Sequence, residues 1–428
     1  MILSSAINWL LFFGFYFLLI NKAGKTFPIV YLFVFTYYVQ YIFSTFLIYN
    51  NFDALRNYME INQEIYFAYA LPAVLALFAG IMIFNKKFDF RSLMDKINPQ
   101  QAYRLAIVSI MVSFTFDFIQ ISGLSSLTEY LKYTGALFLL FSNYRLKYVA
   151  IIAIYLLLII KVLEETIFLN LFIWSTYLFF MISLRWKFSF FTRTSFIVLA
   201  IPILVLVQSV KMEYRMMAWK GREEASVELF SELAREKQEQ NRGLSFWESQ
   251  GVVRTVGRLT QGWHLGLVLR WVPLKTPYDN GKELLSDIGS SLLPRLLFPD
   301  KKVVGGKVKF KKFTGHTLWN GTSMTIGVIG DFYANFGWVG SLVGLFLLGT
   351  LISMFLNYFN KNFIEPNPID IVWLPFIFNY LMRANNDFYM VFNGFLKGIL
   401  IMFLIKYLVK RIWPEPLLDL PNKSTPTS

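Results

Sequence analysis

Long apolar runs divide this chain, and most are about 17–21 residues long, the length at which an α-helix crosses a lipid bilayer. Hydrophobic side chains make up 56% of the chain, above the roughly 45–50% of soluble domains. The runs are 3–20, 27–49, 66–84, 105–121, 148–163, 167–184, 195–210, 338–358, 369–382 and 389–408. Because backbone polar groups in lipid must be bonded internally, we predict an all-α, polytopic membrane helix bundle.

The charges between the runs predict which side of the membrane each connection faces. The basic connections are at 21–25, 85–104, 143–147 and 185–193, and the net acidic ones are at 50–65 and 163–166. A weaker run, 124–143, contains Glu129 and Lys132 and alone would be interpreted as interfacial. If it crosses the membrane, every basic connection falls on one side, as the positive-inside rule requires, giving about eleven spans with the N-terminus outside.

This topology divides the chain into four parts. They are an N-terminal transmembrane bundle (1–210), a large extracytoplasmic, periplasmic loop with short helices (211–326), C-terminal transmembrane helices (327–412) and a disordered cytoplasmic tail (413–428). The formal net charge of +14 would indicate nucleic acid in a soluble protein. In a multi-pass plasma-membrane protein it indicates cytoplasmic anchors and a site for an anionic ligand, with no nucleic-acid partner.

Helical periodicity across 244–271 places Gln250, Arg254, Arg258 and Gln261 on one polar face, with His264 about 60° further round. The opposite face is apolar. Arginine grips phosphate through several parallel hydrogen bonds and stays charged at any working pH. Arg254 and Arg258 are therefore candidate ligands of phosphate or pyrophosphate. The alternative is an ordinary amphipathic helix with solvated arginines.

A second basic segment follows at 292–306. Arg295, Lys301 and Lys302 lie beside two prolines, and an alternating lysine run continues from Lys307 to Lys312. These cations could hold the same anion. The alternative is a basic loop that lies on anionic lipid headgroups.

Both histidines of the chain, His264 and His316, lie in the large loop and are candidate bases. Asp331 stands just before a span, where a carboxylate is costly unless it is paired or faces a water-filled cavity. Arg383 and Asp387, four residues apart, could belong to the site or form a structural salt bridge.

Several chemistries find no support in the sequence. It has no cysteine, no D-x-D pair, no Walker motif, no H-E-x-x-H and no G-x-S-x-G. ATP use, metalloprotease chemistry and serine hydrolysis are therefore not predicted.

The stretch LPRLLFPDKK and the later TGHTLWNGTSMTIGVIGDFYANFGWVGSLVGLFLLG resemble the bacterial O-antigen polymerase (Wzy-like, oligosaccharide repeat unit polymerase) families. Those families often have P-R-x-x-(W/F)-P-x-K-(P/K), then G-E-x-Y-x-N-F-G-x-x-G at the start of a late span, then an arginine. The matching positions are Pro294, Arg295, Pro299, Lys301, Tyr333, Asn335, Phe336, Gly337, Gly340 and Arg383. Asp331 stands where those families more often have Glu.

The resemblance implies a GT-C-type membrane glycosyltransferase. Such enzymes polymerise undecaprenyl-pyrophosphate-linked oligosaccharides into O-antigen, capsule or exopolysaccharide at the outer face of the inner membrane, without metal, nucleotide sugar or other cofactor. A chain-length regulator and a flippase are expected partners. We assign Arg254, Arg258, Arg295, Lys301, Lys302 and Arg383 to the pyrophosphate, and His264, His316 or Asp331 to the catalytic base or to orienting the acceptor.

Three alternatives remain open at the level of sequence, and one of them is a non-catalytic membrane scaffold. An O-antigen ligase-like transferase would share the layout and the donor. A flippase or other transporter would place charges near the bilayer midplane, where the apolar runs of this chain carry few.

Overall fold

A computed structural model describes residues 5–84, 88–119, 125–165, 168–219, 226–240, 242–243, 247–293, 306–319 and 322–414. These residues form helices joined by turns, and no strand occurs among them. The all-α prediction is therefore confirmed. The basic residues Arg295, Lys301 and Lys302 lie outside the described ranges.

The α-helices before the large loop are mostly long and apolar. They are α1 (Ser5–Lys22), α2 (Ile29–Tyr37), α3 (Ser44–Asn51), α4 (Asp53–Arg56), α5 (Gln63–Ile83), α6 (Pro99–Ile119), α7 (Ser125–Thr128), α8 (Tyr130–Phe141), α9 (Lys147–Glu165), α10 (Leu169–Arg185) and α11 (Phe190–Trp219). A π-helical segment, Tyr38–Phe43, joins α2 to α3, and a 3₁₀ segment, Phe90–Lys96, precedes α6.

The large loop folds into shorter helices, and longer ones follow it. They are α12 (Val227–Gln240), α13 (Gln250–Leu259), α14 (Gly262–Trp271), α15 (Lys282–Leu292), α16 (Lys307–Thr314), α17 (Gly327–Phe359), α18 (Trp373–Ile377) and α19 (Phe388–Ile412).

Seven helices in the described ranges are long and apolar enough to cross a membrane. They cover Ser5–Lys22, Ile29–Asn51, Gln63–Ile83, Pro99–Ile119, Phe190–Met217, Gly327–Ile364 and Phe388–Ile412. Large apolar side chains such as Phe191, Leu351 and Leu400 are exposed on them, as expected of lipid-facing positions. These features fit a helical membrane protein, while the eleven-span topology stays a prediction.

The weak run at 124–143 contains α8, whose residues are all buried inside the bundle. The two charged residues of this run form ion pairs with adjacent helices. Lys132 pairs with Asp117 at 2.6 Å, and Glu129 pairs with Lys161 at 2.8 Å. At 12 residues, α8 is shorter than the roughly 20 residues that a bilayer requires. The structure therefore places this segment in the interior of the bundle.

The run predicted as a continuous span at 369–382 is broken. A 3₁₀ segment (Pro368–Val372) leads into the five-residue α18, and turns follow to Asp387. Non-helical backbone is tolerated at membrane depth only where protein covers it. Here it is covered, because the residues of the 3₁₀ segment and α18 are buried.

The short basic connections gather at one end of the bundle, which we call the basic end. The backbone N–H of Arg91 donates to the carbonyl of Lys25 at 3.0 Å, and the guanidinium of Arg193 packs against Gly24. The ring of Tyr148, which follows the fourth basic connection at 143–147, lies 6.3 Å from the ring of Trp186 in the 185–193 connection. This clustering is the one that the positive-inside rule expects of a cytoplasmic face.

The opposite end, here the loop end, carries α12–α16 and the turn between α18 and α19. Tyr41 donates its hydroxyl hydrogen to the carbonyl of Ala384, and Tyr69 donates to that of Ile329. Side chains of α14 and α16, including Leu267 and Phe310, are fully buried in the same hydrophobic core as the long helices. The loop is therefore packed onto the bundle.

The single helix predicted across 244–271 is instead two helices, α13 and α14. They separate at Thr260 and Gln261, where the loop docks on the α2–α3 region. The N–H of Gln261 donates to the carbonyl of Gln40 at 2.8 Å, and the hydroxyls of Thr260 and Thr45 are 2.9 Å apart. These tertiary hydrogen bonds override the local periodicity, so His264 belongs to a different helix from the two arginines.

Helix α17 changes direction at Gly337, which has a φ of 66°. An L-residue with a side chain is strained at such a φ, and the ring of Tyr278 lies where a Cβ would project. Further along, Gly349 of α17 and Gly80 of α5 lie against each other's helix backbone, so the two spans cross closely. The part of α17 before the kink, which contains the buried Asp331, lies within the loop end.

Candidate anion site at the loop end

A cavity of about 230 Å³ lies between the C-terminal part of α11, helix α13 and the short helix α4, which carries Leu55. It is smaller than the roughly 300–1,000 Å³ of pockets that enclose drug-sized ligands, so it suits a headgroup-sized ion. Its lining combines cations with an amide and apolar groups: Lys211, Arg254, Arg258, Gln208, Leu55, Met212, Val253 and Gly257. We call this space the cationic cavity.

The amphipathic pattern of α13 orients its arginines. Val252 and Val256 bury one face of the helix in the core, so Arg254 and Arg258, one turn apart, project from the other. Arg254 is anchored, because it donates to the carbonyl of Ser209 at 2.5 Å and lies 3.8 Å from Glu213. Glu213 also holds Lys237 at 2.8 Å, so its charge is shared.

The other two cations of the cavity lack carboxylate partners among the described residues. Arg258 is exposed and forms no ion pair there. The ammonium of Lys211 faces the ring of Phe168, 5.9 Å from its centroid. An excess of positive charge in a partly enclosed space is favourable only when an anion or water balances it. The structure thus joins Arg254 and Arg258, as predicted, and adds Lys211.

Arg383 lies at a separate place and does not line the cationic cavity. Its guanidinium donates to Tyr130 Oη at 3.0 Å and to Asn170 Oδ1 at 2.8 Å, and the Tyr380 ring stacks near it. The predicted pairing with Asp387 is wrong, since Asp387 faces Lys309 and caps α19 instead. The long-range partners of Arg383 outcompete its neighbour in sequence.

Arg383 and the cavity nevertheless flank the same helix start. The ring of Phe168 faces Lys211 of the cavity. Asn170, two residues later, accepts a hydrogen bond from Arg383. The start of α10 is therefore shared by both cationic groups.

Three predicted base candidates occupy different environments. The ring nitrogens of His264 are buried and have no hydrogen-bond partner among the described residues. Burial lowers the pKa of His264 to about 4, so its neutral form is the stable one at neutral pH. A neutral, enclosed imidazole beside the rings of Trp263 and Phe310 fills space in the core.

His316 is accessible, with 41% of its side chain exposed. Its Nε2 lies 3.8 Å from Glu60, which also pairs with Arg270 at 2.5 Å. The edge of the Trp263 ring system faces the imidazole. A carboxylate beside a histidine orients the ring, so the exposed imidazole is placed to accept a proton from a bound molecule.

Asp331 is fully buried in a four-residue ionic cluster around Lys309. The Lys309 ammonium lies 2.7 Å from Asp331, 3.0 Å from Asp287 and 3.7 Å from Asp387. Asp331 also accepts a hydrogen bond from the backbone N–H of Phe388 at 2.7 Å. The cluster joins α15 and α16 of the loop to α17 and α19, so Asp331 is placed to hold the loop and away from the cavity lining.

Burial alone would lower the pKa of Lys309, but the three carboxylates outweigh that effect and hold the pKa above its ordinary value. Lys309 is therefore charged throughout the physiological range. Its contribution to stability is present at neutral pH and is lost only as the pH rises above about 10.5.

The model of one family, described as a domain of unknown function (DUF8712), matches residues 28–413. The matched region includes the cationic cavity, the Lys309 cluster, His316 and Arg383. The chain belongs to the DUF8712 family. No curated protein and no solved structure matches it.

Sequence reasoning missed two residues of the candidate site, Lys211 and Glu60, and the structural role of Lys309. Lys211 lies past the predicted end of its apolar run, because α11 continues to Trp219. Glu60 was not singled out, because the net acidic connection at 50–65 also contains Asp53 and Glu64. Lys309 was hidden in a run of lysines, although its position beside the buried Phe310 and Phe313 was an available signal.

We expect His264→Phe to remove part of the acid sensitivity of this DUF8712 protein. The unfolded chain binds a proton on His264 below pH 6.5, whereas the folded chain does so only near pH 4, so stability falls between these values. The wild type should lose about 2 kcal/mol more than the variant between pH 7 and pH 5. Unfolding of both proteins in detergent across this range measures the difference, and parallel curves would contradict the buried neutral state.

Proposed function

We propose that the protein is a membrane glycosyltransferase that polymerises oligosaccharide repeat units carried on undecaprenyl pyrophosphate. The observation that carries the proposal is the cationic cavity, where Lys211, Arg254 and Arg258 meet at the loop end. The resemblance of 292–349 to the O-antigen polymerase families supports the same donor class. In this proposal the basic end is cytoplasmic and the loop end faces the periplasm.

The chemistry follows from the charge that develops in the reaction. A hydroxyl of the acceptor repeat unit attacks the anomeric carbon of the donor glycan. The bond from that carbon to the pyrophosphate oxygen breaks, and the pyrophosphate leaves on its lipid with the bonding electron pair. Preorganised guanidinium and ammonium groups stabilise this leaving anion, a role that divalent cations fill in other transferases.

The proton of the attacking hydroxyl needs an acceptor, and His316 is the accessible candidate. Glu60 would orient its imidazole and stabilise the imidazolium that forms. Glu60 follows Leu55 of the cavity by five residues, which connects the two groups along the chain.

We therefore expect His316→Ala to lower the rate of glycan extension by about 10²–10⁴-fold, the range of general base catalysis. Glu60→Gln, which keeps the shape of the side chain, should lower the extension rate by a smaller factor. Extension is measured by the rate at which purified variants convert a lipid-linked repeat unit to longer products. His264→Phe is the matched control because it changes the other histidine, and an equal loss in both variants would exclude His316 as the base.

The proposal is tested by reconstituting the purified protein in nanodiscs with a lipid-pyrophosphate-linked repeat unit. A ladder of products that differ by one repeat unit is expected, with or without a chelator. Transfer of one glycan to a lipid A core without a ladder would favour the ligase-like alternative. An intact donor in both assays would contradict the transferase proposal.

A further inference from the structure

The middle of α11 has no buried face. Six consecutive residues, 198–203, are exposed, and at 100° per residue they cover every side of the helix. The large ones are exposed by 54% (Val198), 68% (Leu199), 45% (Ile201) and 60% (Ile203). Only 6% of the apolar window of this helix is buried, against 72% for Ile29–Asn51. A span packed on a bundle would bury one stripe.

Both ends of α11 are nevertheless held. Near the basic end, the ring of Phe190 lies 5.7 Å from that of Phe17 in α1. Near the loop end, Val205 and Ser209 pack against Gly251 of α13, and Arg254 binds the Ser209 carbonyl. The helix is therefore fastened at its ends and separated from the bundle between them.

The free stretch includes Pro202, which cannot donate a backbone hydrogen bond to the preceding turn. Helices bend at such positions. The separated segment therefore has one backbone hydrogen bond fewer than the rest of α11.

The cationic cavity lies at the loop end of this same helix. Lys211 follows Ile203 by eight residues, which is about 12 Å along an α-helix. The apolar surface of residues 198–203 matches a hydrocarbon tail, and the cationic cavity at the loop end of the same helix matches a phosphate headgroup.

We propose that the lateral space beside residues 198–203 is the entry path and seat of a lipid tail whose phosphate headgroup occupies the cationic cavity. This inference rests on the proposed function in naming the lipid, a polyprenyl pyrophosphate. An ordinary anionic phospholipid shares the phosphate and the tail, and the experiment below separates the two. Charge favours a lipid over a second copy of the chain, because Lys211 and Arg258 of the cavity have no carboxylate partner among the described residues.

The chain contains no cysteine, so one introduced cysteine can carry a single benzophenone photocrosslinker. Leu199→Cys and Ile201→Cys place it on opposite faces of α11, so the two positions sample both sides of the helix. Leu351→Cys on α17 and Leu400→Cys on α19 are matched controls, since both residues are similarly exposed, at 62% and 67%. The probe is radiolabelled undecaprenyl pyrophosphate without sugar, at low mole fraction in nanodiscs that contain phosphatidylglycerol.

We expect the better α11 position to capture at least about fivefold more probe than either control, and Arg254→Ala with Arg258→Ala to abolish this excess. Added unlabelled undecaprenyl pyrophosphate should compete, whereas added phosphatidylglycerol should not. Competition by both lipids would show an ordinary phospholipid site and overturn the assignment. Equal capture at α11 and the controls, or a photoadduct to a second copy of the chain, would also overturn it.

Because the probe carries no sugar, its capture does not depend on glycan transfer. Capture without any transfer in nanodiscs would refute the proposed function and leave the lipid path intact. Glycan transfer without preferential capture of the probe at α11 would support the proposed function and refute the lipid path.

Discussion

Replacing both Arg254 and Arg258 by alanine is expected to abolish long-chain glycan and leave a single repeat unit on the final acceptor. Each guanidinium stabilises the leaving pyrophosphate, and removal of one preorganised donor in other enzymes costs about 10²–10³-fold in rate. Arg254→Lys with Arg258→Lys should recover only part of the activity, because an ammonium keeps the charge and loses the planar fork. Gel analysis of surface polysaccharide from complemented deletion cells measures the effect.

Arg235→Ala with Arg242→Ala is the matched control. Both residues belong to the same loop, are exposed and do not line the cavity, so they remove the same net charge without touching the site. Wild-type chain length in the Arg254 and Arg258 double variant, with normal amounts of folded protein, would remove the pyrophosphate assignment. An equal loss in the control would reduce the effect to net charge.

Replacing Lys309 by methionine is expected to lower the free energy of unfolding by about 3–5 kcal/mol, the cost of removing one partner from a buried ion pair. Three carboxylates within 2.7–3.7 Å would then face each other without a cation. Because the cluster joins the loop helices to α17 and α19, the loop should detach before the spans unfold. Thermal unfolding in detergent and proteolysis of the loop measure the two effects.

Lys311→Met is the control, because Lys311 lies on the exposed side of the same helix and should cost less than about 0.5 kcal/mol. Adding Asp331→Asn to Lys309→Met removes one uncompensated charge and keeps an acceptor for the Phe388 N–H. The double variant should therefore be more stable than Lys309→Met alone. Equal stability of Lys309→Met and wild type would contradict the buried cluster.

The long apolar runs predicted the main helices well because a bilayer-length apolar stretch has few alternatives to a helix. The run at 3–20 became α1, Ser5–Lys22, and the one at 66–84 became α5, Gln63–Ile83. The exception was 369–382, where buried surroundings support 3₁₀ turns that hydropathy cannot distinguish from a helix.

Local spacing predicted part of the site. The one-turn separation of Arg254 and Arg258 was sufficient to place both on one face of α13. The break before α14 depends on Gln40 and Thr45, which lie more than two hundred residues earlier, so periodicity could not reveal it.

Partners distant in sequence also decided the roles of single charged residues. Arg383 binds Tyr130 and Asn170 in place of Asp387, and Asp331 forms an ion pair with Lys309. Charge pairing follows burial and proximity in the fold, and a sequence gives only the neighbours one turn away.

A cryo-EM map of the protein in nanodiscs with undecaprenyl pyrophosphate tests the central claim most directly. Pyrophosphate density is expected between Lys211, Arg254 and Arg258. Density for that headgroup at any other place, with the cationic cavity holding only solvent, would contradict the account.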